Sequence, residues 1–305
     1  MSVIQLNEGS CVNCYKCIRE CPIKAIEFKD GRANIIEDEC VLCGTCVLTC
    51  PQGAKVVKNE VPGVKQLIQD GRKVYITLAP SWVGWFDCSF AQLSAAFKKI
   101  GFAGVEETAI GAAEVSREYA SLMQNGYMNN IIATACSSVV MLVERHFPEL
   151  VKMLAPISSP MMAHARIMRE MYGDIKVVFV GPCLSKKFEA SDPLAGGLVN
   201  YALTFPAIEE WMREEGVDPH TIEPDPDAKG VSEPVSRLYP TASGILKTIG
   251  DESYHNYKPV AVDGLDRCLE LFSALRDGEV QNLLVEANIC AGRCIGGPIM
   301  RMHKK

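Results

Sequence analysis

The sequence predicts an α/β protein in two unequal parts, a small cysteine-rich module followed by a larger body of alternating strands and helices. Two observations carry this. Eight of the 14 cysteines fall within the first 50 residues, in two copies of one pattern. Further on, short runs rich in Val and Ile alternate with stretches of helical periodicity, which is how a domain with mainly parallel strands reads. The 305 residues leave room for both parts. The expected boundaries are a module over 1–57, a linker over 58–72 and a body over 73–305.

The module comes first. Cys11-x2-Cys14-x2-Cys17-x3-Cys21-Pro22 recurs as Cys40-x2-Cys43-x2-Cys46-x3-Cys50-Pro51. That spacing resembles the bacterial ferredoxin run, in which three cysteines hold one [4Fe–4S] cube and the fourth ligates the other. A small α+β ferredoxin-like unit with two [4Fe–4S] clusters is therefore expected. Cys11, Cys14, Cys17 and Cys50 would hold the first cluster, and Cys40, Cys43, Cys46 and Cys21 the second. A disulfide framework would need an oxidising compartment, and residues 1–8 carry neither the basic nor the apolar segment of a secretory signal. Zinc would be satisfied by two CxxC pairs and gives no reason for a fourth cysteine before proline, twice. So small a module cannot bury a large core, and its clusters must hold it together.

Charged residues at 22% and hydrophobic ones at 48% describe a folded soluble chain. A net charge of -6 argues against a nucleic-acid footprint. No apolar run approaches the roughly 18 residues that span a bilayer. No nucleic-acid or membrane partner is expected, and the location expected is cytoplasmic, in a reducing cell.

Along the body, Pro62-Gly63 and Gly71 bracket a helical connector over 64–70. A buried strand over 73–78 ends at Ala79-Pro80. A helix over 90–100, a short strand over 101–106 and a helix over 109–124 follow. Then come a strand over 129–135 and helices over 139–147 and 160–171. A strand over 176–180 follows, and a helix to residue 215 opens at Leu203-Thr204-Phe205-Pro206, with Thr204 suited to the N-cap and Pro206 to an early position. Residues 223–233, rich in Pro, Asp and Gly, read as a loop. A helix over 263–278 and a strand over 282–286 complete the pattern.

Three of these strands end in a cysteine-bearing turn: Cys136, Cys183, and Cys290 with Cys294. Ligands of parallel sheets bind beyond the carboxyl ends of strands, so these four thiols could converge on one site, and four thiolates are what a third [4Fe–4S] cube requires. Cys268, inside an apolar helical stretch, reads as packing. Cys88 has no assigned role.

With Leu78-Ala79-Pro80-Ser81, the Leu203-Thr204 helix start, Thr241-Ala242-Ser243-Gly244 and Val262-Asp263-Gly264-Leu265, these turns make the chain resemble [FeFe]-hydrogenases behind a two-cluster ferredoxin module. The resemblance implies two α/β lobes clasping an H-cluster, a [4Fe–4S] cube joined by a cysteine sulfur to a two-iron unit that carries CO, cyanide and a dithiolate amine. It implies that Cys136, Cys183, Cys290 and Cys294 hold the cube and that Cys294 bridges to the two-iron unit. Lys186 matches the lysine that donates to one cyanide, and Lys187 reads as its solvated neighbour. Pro80 and Ser81 match the turn lining the two-iron unit, with Ser81 a donor to the second cyanide.

The chain departs from the family pattern around these ligands. Ala135 stands where a proton-relaying cysteine is usual, and Asn288 and Gly181 replace two methionines. This combination resembles the sensory, low-turnover branch of the family. The resemblance implies slow, reversible conversion between H₂ and protons plus electrons. It also implies a ferredoxin-like or other redox partner, a signalling partner in a sensory setting, and maturation proteins. Glu106, Glu107, Glu114 and Glu118 could offer a proton route, although solvated surface roles suit most of them. Two other readings remain open: a hydrogen-sensing regulator with incidental turnover, and an iron–sulfur protein that keeps the cube but lacks the two-iron unit.

Overall fold

A computed structural model describes residues 2–231 and 233–303. The chain starts with β1 (Ile4–Leu6), α1 (Lys16–Glu20), β2 (Ile26–Lys29), β3 (Arg32–Ile35), α2 (Thr45–Thr49) and β4 (Lys55–Val57). β1 pairs antiparallel with β4, and β2 with β3. Each short helix starts after a left-handed residue, Tyr15 or Gly44, and stops at a cysteine, Cys21 or Cys50. The two halves of the cysteine repeat thus fold alike.

The connecting helix α3 (Val61–Gln69) starts earlier than expected, because Pro62 lies within its first turn, where proline is favoured. Then come β5 (Val74–Leu78), α4 (Phe90–Lys99), β6 (Gly104–Glu107), α5 (Ala109–Asn125), β7 (Ile131–Ile132), α6 (Ser137–His146), α7 (Pro160–Tyr172) and β8 (Lys176–Gly181). The last part comprises α8 (Ser185–Ser191), β9 (Tyr201–Thr204), α9 (Phe205–Glu214), α10 (Gly244–Ile249), β10 (Lys258–Asp263), α11 (Leu265–Arg276), β11 (Leu283–Asn288) and α12 (Pro298–His303). Ser89 closes a capping box on Gln92 at the start of α4. Thr204 precedes α9 in extended conformation without a side-chain cap bond.

The strands form two parallel sheets, one ordered β6-β5-β8-β9 and the other β10-β11-β7. The fold is therefore α/β with two lobes, preceded by the small ferredoxin-like module. Three differences from the expected elements have physical causes. β9 is only four residues long and runs straight into α9, so its pattern merges with the helix start. β10 contains Pro259, which a central strand would exclude, but β10 is an edge. β7 shrinks to two residues, and the Asn130 side chain, in place of a strand carbonyl, accepts the Leu283 N–H. Residues 223–233 run as loop, apart from Ser232, which lies outside the described residues.

The module is built into the body. Its Ala25, Ile26 and Cys46 share one apolar core with Val74, Ile76 and Leu78, and its Val41 joins the core of the second lobe with Leu142 and Phe272. Arg145 donates to the carbonyls of Glu37 and Cys40, and the His146 ring meets that of Glu39 at 2.8 Å. Gly44, at φ +75°, packs where a Cβ would stand 2.5 Å from Pro298 Cγ and 3.0 Å from Leu184 Cδ1.

Lys187 is a correction. It is 4% exposed, donates to Glu60 Oε2 at 3.0 Å and to the Ala202 carbonyl, and locks α8 onto the start of α3. A helix-start lysine looks solvated in sequence, and only the packing of α3 against β9 buries it.

Candidate metal centre

All 14 cysteines are free thiols, so no disulfide framework exists. In the module, Cys21 leaves its own run: the ionisation of Cys40, Cys43 and Cys46 is in each case made harder by its charge. Cys50 crosses the other way, towards Cys17. Burial, followed by neighbouring thiols, pushes Cys40 up to about 11 and Cys46 up to about 12. Cys50 behaves differently. Burial is the largest single influence and pushes its thiol up, but the backbone N–H groups of residues 52–55 together outweigh it and shift the thiol down. The Ala54 N–H donates to its sulfur at 3.2 Å. The Lys55 ammonium, itself buried and donating to the Ala33 carbonyl at 2.5 Å, favours the thiolates of Cys17 and Cys46.

In the body, five strands deliver their carboxyl ends to one cavity of about 100 Å³. Ala79, Pro80 and Ser81 come from the end of β5, and Thr108 follows β6. Ala135 and Cys136 follow β7, Pro182 and Cys183 follow β8, and Asn288 and Cys294 come from the end of β11. Cys136, Cys183 and Cys294 thus line one space from both lobes. Cys290 lies on the far side, beside a cleft of about 290 Å³ that it shares with Cys43 of the module. Its thiol is nevertheless raised by the charges of Cys183, Cys294 and Cys136 as well as Cys43. Burial is the main force holding Cys136, Cys290 and Cys294 protonated, with the neighbouring thiols second. Such thiols are inert by themselves and become thiolates only against a strongly cationic partner. Among the described residues no three His, Cys, Asp or Glu gather tightly enough for a single metal ion.

The remaining walls are apolar, from Met161, Phe179, Pro182 and Ile245 among others. Against them stand two orphaned polar groups, Ser81 Oγ and Asn288 Nδ2, both buried without a hydrogen-bond partner. A buried donor left unpaired costs ~1–3 kcal/mol, so these two fit a guest that presents acceptors. Lys186 Nζ reaches the wall with two of its three protons spent, one on the Ala135 carbonyl at 3.1 Å and one on Glu189 Oε2 at 2.5 Å. Glu189 also accepts from Ser137 and Ser159.

Sequence reasoning missed several of these groups. Glu189 stands one helical turn after Lys186, a spacing that could have marked it. Arg293, immediately before Cys294, is 3% exposed, sits at φ 60° and pairs with buried Glu286. Its Nε has no partner. Glu107 is not among the solvated glutamates: it is fully buried, and it accepts from Trp82 Nε1 at 3.3 Å and from Nε and Nη2 of Arg237. Glu114 pairs with Arg117 at the surface, as expected of a solvated role. Cys268 is fully buried in α11, with its thiol 3.5 Å from the Asn288 carbonyl.

The fold has known counterparts. It superposes on [FeFe]-hydrogenase HydA1 from Chlamydomonas reinhardtii with a TM-score of 0.66, at 15% identity over 79% of this chain and 84% of that one. An apo variant of the same HydA1 gives 0.65 at 15% identity with the same coverage. A HydA(deltaEFG) structure concerned with stepwise H-cluster assembly gives 0.66 at 14%, again over 79% and 84%. At such identities the likeness is one of fold. Residues 3–63 match the family model of a 4Fe-4S dicluster domain. Residues 72–298, most of the chain, match that of the iron-only hydrogenase large subunit, C-terminal domain, and to that family the protein belongs.

Proposed function

We propose that the protein interconverts H₂ with two protons and two electrons, slowly, at the cavity between the two lobes. Residues 73–305 would hold an H-cluster, and residues 1–57 would carry electrons between it and a ferredoxin-like or other redox partner. The observation that carries this reading is the convergence of Cys136, Cys183 and Cys294 on an apolar cavity whose two orphaned donors, on Ser81 and Asn288, are the groups a cyanide-bearing guest would satisfy.

When bound, the H-cluster would supply the hydrogen-activating metals and the redox capacity. The chain would supply the rest. Cys136, Cys183, Cys290 and Cys294 would anchor the cube, and Cys294 would bridge to the two-iron unit. Ser81, Asn288 and the third proton of Lys186 would orient the guest by donation. Pro80, Met161 and Phe179 would keep bulk water out. The cleft shared by Cys43 and Cys290 supports an electron entry there: the second ferredoxin cluster, held partly by Cys43, would lie beside the cube held partly by Cys290. Arg293 would place a buried cation next to Cys294, and Glu286 would hold it there.

Ala135 lines the cavity with a methyl group, which can neither give nor take a proton. This favours slow turnover, and with it a sensory role in which the loaded state is read by a signalling partner. Infrared spectroscopy after loading with a synthetic two-iron cofactor, together with an H₂ oxidation assay, tests the proposal. CO and CN bands with measurable turnover are expected. Bands without turnover would leave sensing as the reading, and no bands would leave an iron–sulfur protein without hydrogen chemistry.

A further inference from the structure

Resting on the hydrogen-converting reading, we propose that Thr108, Thr77, His164 and Glu106 form a proton conduit between the cavity and solvent. Thr108 lines the cavity. Its Oγ1 lies 2.8 Å from Thr77 Oγ1, which lies 2.8 Å from His164 Nδ1. The other ring nitrogen, Nε2, lies 3.0 Å from Glu106 Oε2. The second oxygen of Glu106 accepts from the Tyr172 hydroxyl. Thr77 and His164 are fully buried, Glu106 keeps 18% of its side chain exposed, and Tyr172 is 39% exposed. The chain is therefore unbroken from the cavity wall to the surface, with its titratable end outside.

A structural role alone explains this arrangement poorly. An apolar residue would pack between α7 and β5 at no desolvation cost, whereas a buried imidazole needs both its nitrogens satisfied. Here both are, by groups that can each reverse their hydrogen bond. Thr77 has one proton and two neighbours, so it donates to one and accepts from the other. With Glu106 ionised, His164 donates from Nε2 and accepts on Nδ1. Thr77 then donates to His164, and Thr108 donates to Thr77. Every hydroxyl points its proton outward.

A proton released in the cavity is taken up by Thr108 Oγ1 as the Thr108 proton moves to Thr77 and the Thr77 proton to His164 Nδ1. The imidazolium so formed gives its Nε2 proton to Glu106, which passes it to water. One proton enters and one leaves. The hydroxyls and the imidazole tautomer are left reversed, poised for the inward direction. Stacking of Tyr172 on Tyr75, with centroids 4.6 Å apart, fixes the outer end over β5.

The test compares Thr77→Val, which keeps the shape and removes the hydroxyl, with Thr77→Ser, which keeps the hydroxyl. Both are loaded with the synthetic two-iron cofactor, with loading equalised by CO and CN band intensity. Loss of a positioned proton carrier costs about 10²–10⁴ in general acid–base steps. Thr77→Val should therefore lose at least about tenfold in H₂ oxidation and show a larger solvent isotope effect, Thr77→Ser should stay near wild type, and Glu106→Gln at the mouth should fall as Thr77→Val does. A second readout needs no turnover. In protein carrying only its iron–sulfur clusters and labelled with [¹⁵N]histidine, His164 (assigned by its loss in His164→Gln) should resonate as the Nε2–H tautomer. Its Nδ1 signal should move when Thr77→Val removes the donor. Equal rates in all three variants, or a His164 signal indifferent to Thr77→Val, would overturn the conduit while leaving the function standing. A loaded wild type without turnover would overturn both.

Discussion

Gly111→Ala should destabilise the protein although it replaces a helix-weakening residue. Gly111 lies in α5 where α7 crosses it. A Cβ built there stands 2.2 Å from the Pro160 carbonyl oxygen and 2.7 Å from both the Cβ and the amide nitrogen of His164. All three are backbone or backbone-fixed atoms, so no side-chain rotation relieves the clash, and the helices must part by on the order of an ångström. Overpacking of this kind costs ~1–3 kcal/mol. Alanine returns ~1 kcal/mol of helix propensity. The balance is a loss of up to ~2 kcal/mol, or up to roughly 4–8 °C in melting temperature at the ~2–4 °C per kcal/mol of larger domains. Matched thermal scans of the iron-loaded proteins measure it, with Ser121→Ala on the exposed face of α5 as a control that has no neighbour to meet. Because Pro160 also lines the cavity and His164 lies one turn on, the same displacement should move the His164 ¹⁵N signals. Gly111→Ala melting at or above wild type would refute the rigid seating of α7 on α5.

Ala135→Cys places a thiol on the cavity wall and should raise H₂ oxidation by about tenfold or more in equally loaded protein, read by gas chromatography or electrochemistry. Glu60→Gln leaves the buried Lys187 ammonium against a neutral amide. The loss of one partner of a buried pair costs ~3–5 kcal/mol, and a lower urea midpoint should report it. For the Glu106 carboxyl, burial pushes upward, but donation from His164 and Tyr172 outweighs it and holds the group below its usual 4.5. Its stabilising contribution is therefore present above that value and lost as pH falls through the lower folded-state value. Glu106→Gln should flatten the acid limb of a stability–pH profile.

The cysteine spacing alone was enough to read the module, because thiolates around a cube must recur at fixed intervals whatever surrounds them. The parallel strands at the centre of the first sheet were legible from Val- and Ile-rich runs such as residues 74–78 and 176–180. β10 and β9 were not, since an edge proline and a merged helix start erase the period on which such a reading depends. The same limit applies to the site. Cysteines and Lys186 announce themselves by type and turn position. His164, Thr77 and Glu107 do not, because burial is decided by helices that arrive from distant sequence. Lys187 and Glu107 look like surface charges in a row of residues, and only their partners Glu60 and Arg237, over 100 positions away, reveal them as interior groups.

Gly44 bears on how such proteins can be recombined. Its bare α-carbon is what lets the loop of the second cysteine run nest between Pro298 and Leu184, on the two turns that also carry Cys294 and Cys183. A ferredoxin unit taken from elsewhere, with any side chain at that spot, would be held off both turns at once. The wiring end of this protein is thus not an interchangeable plug. A working chimaera would have to carry Gly44, Leu184, Pro298 and the Arg145 clasp together, so module and body are free to diverge only as a matched set.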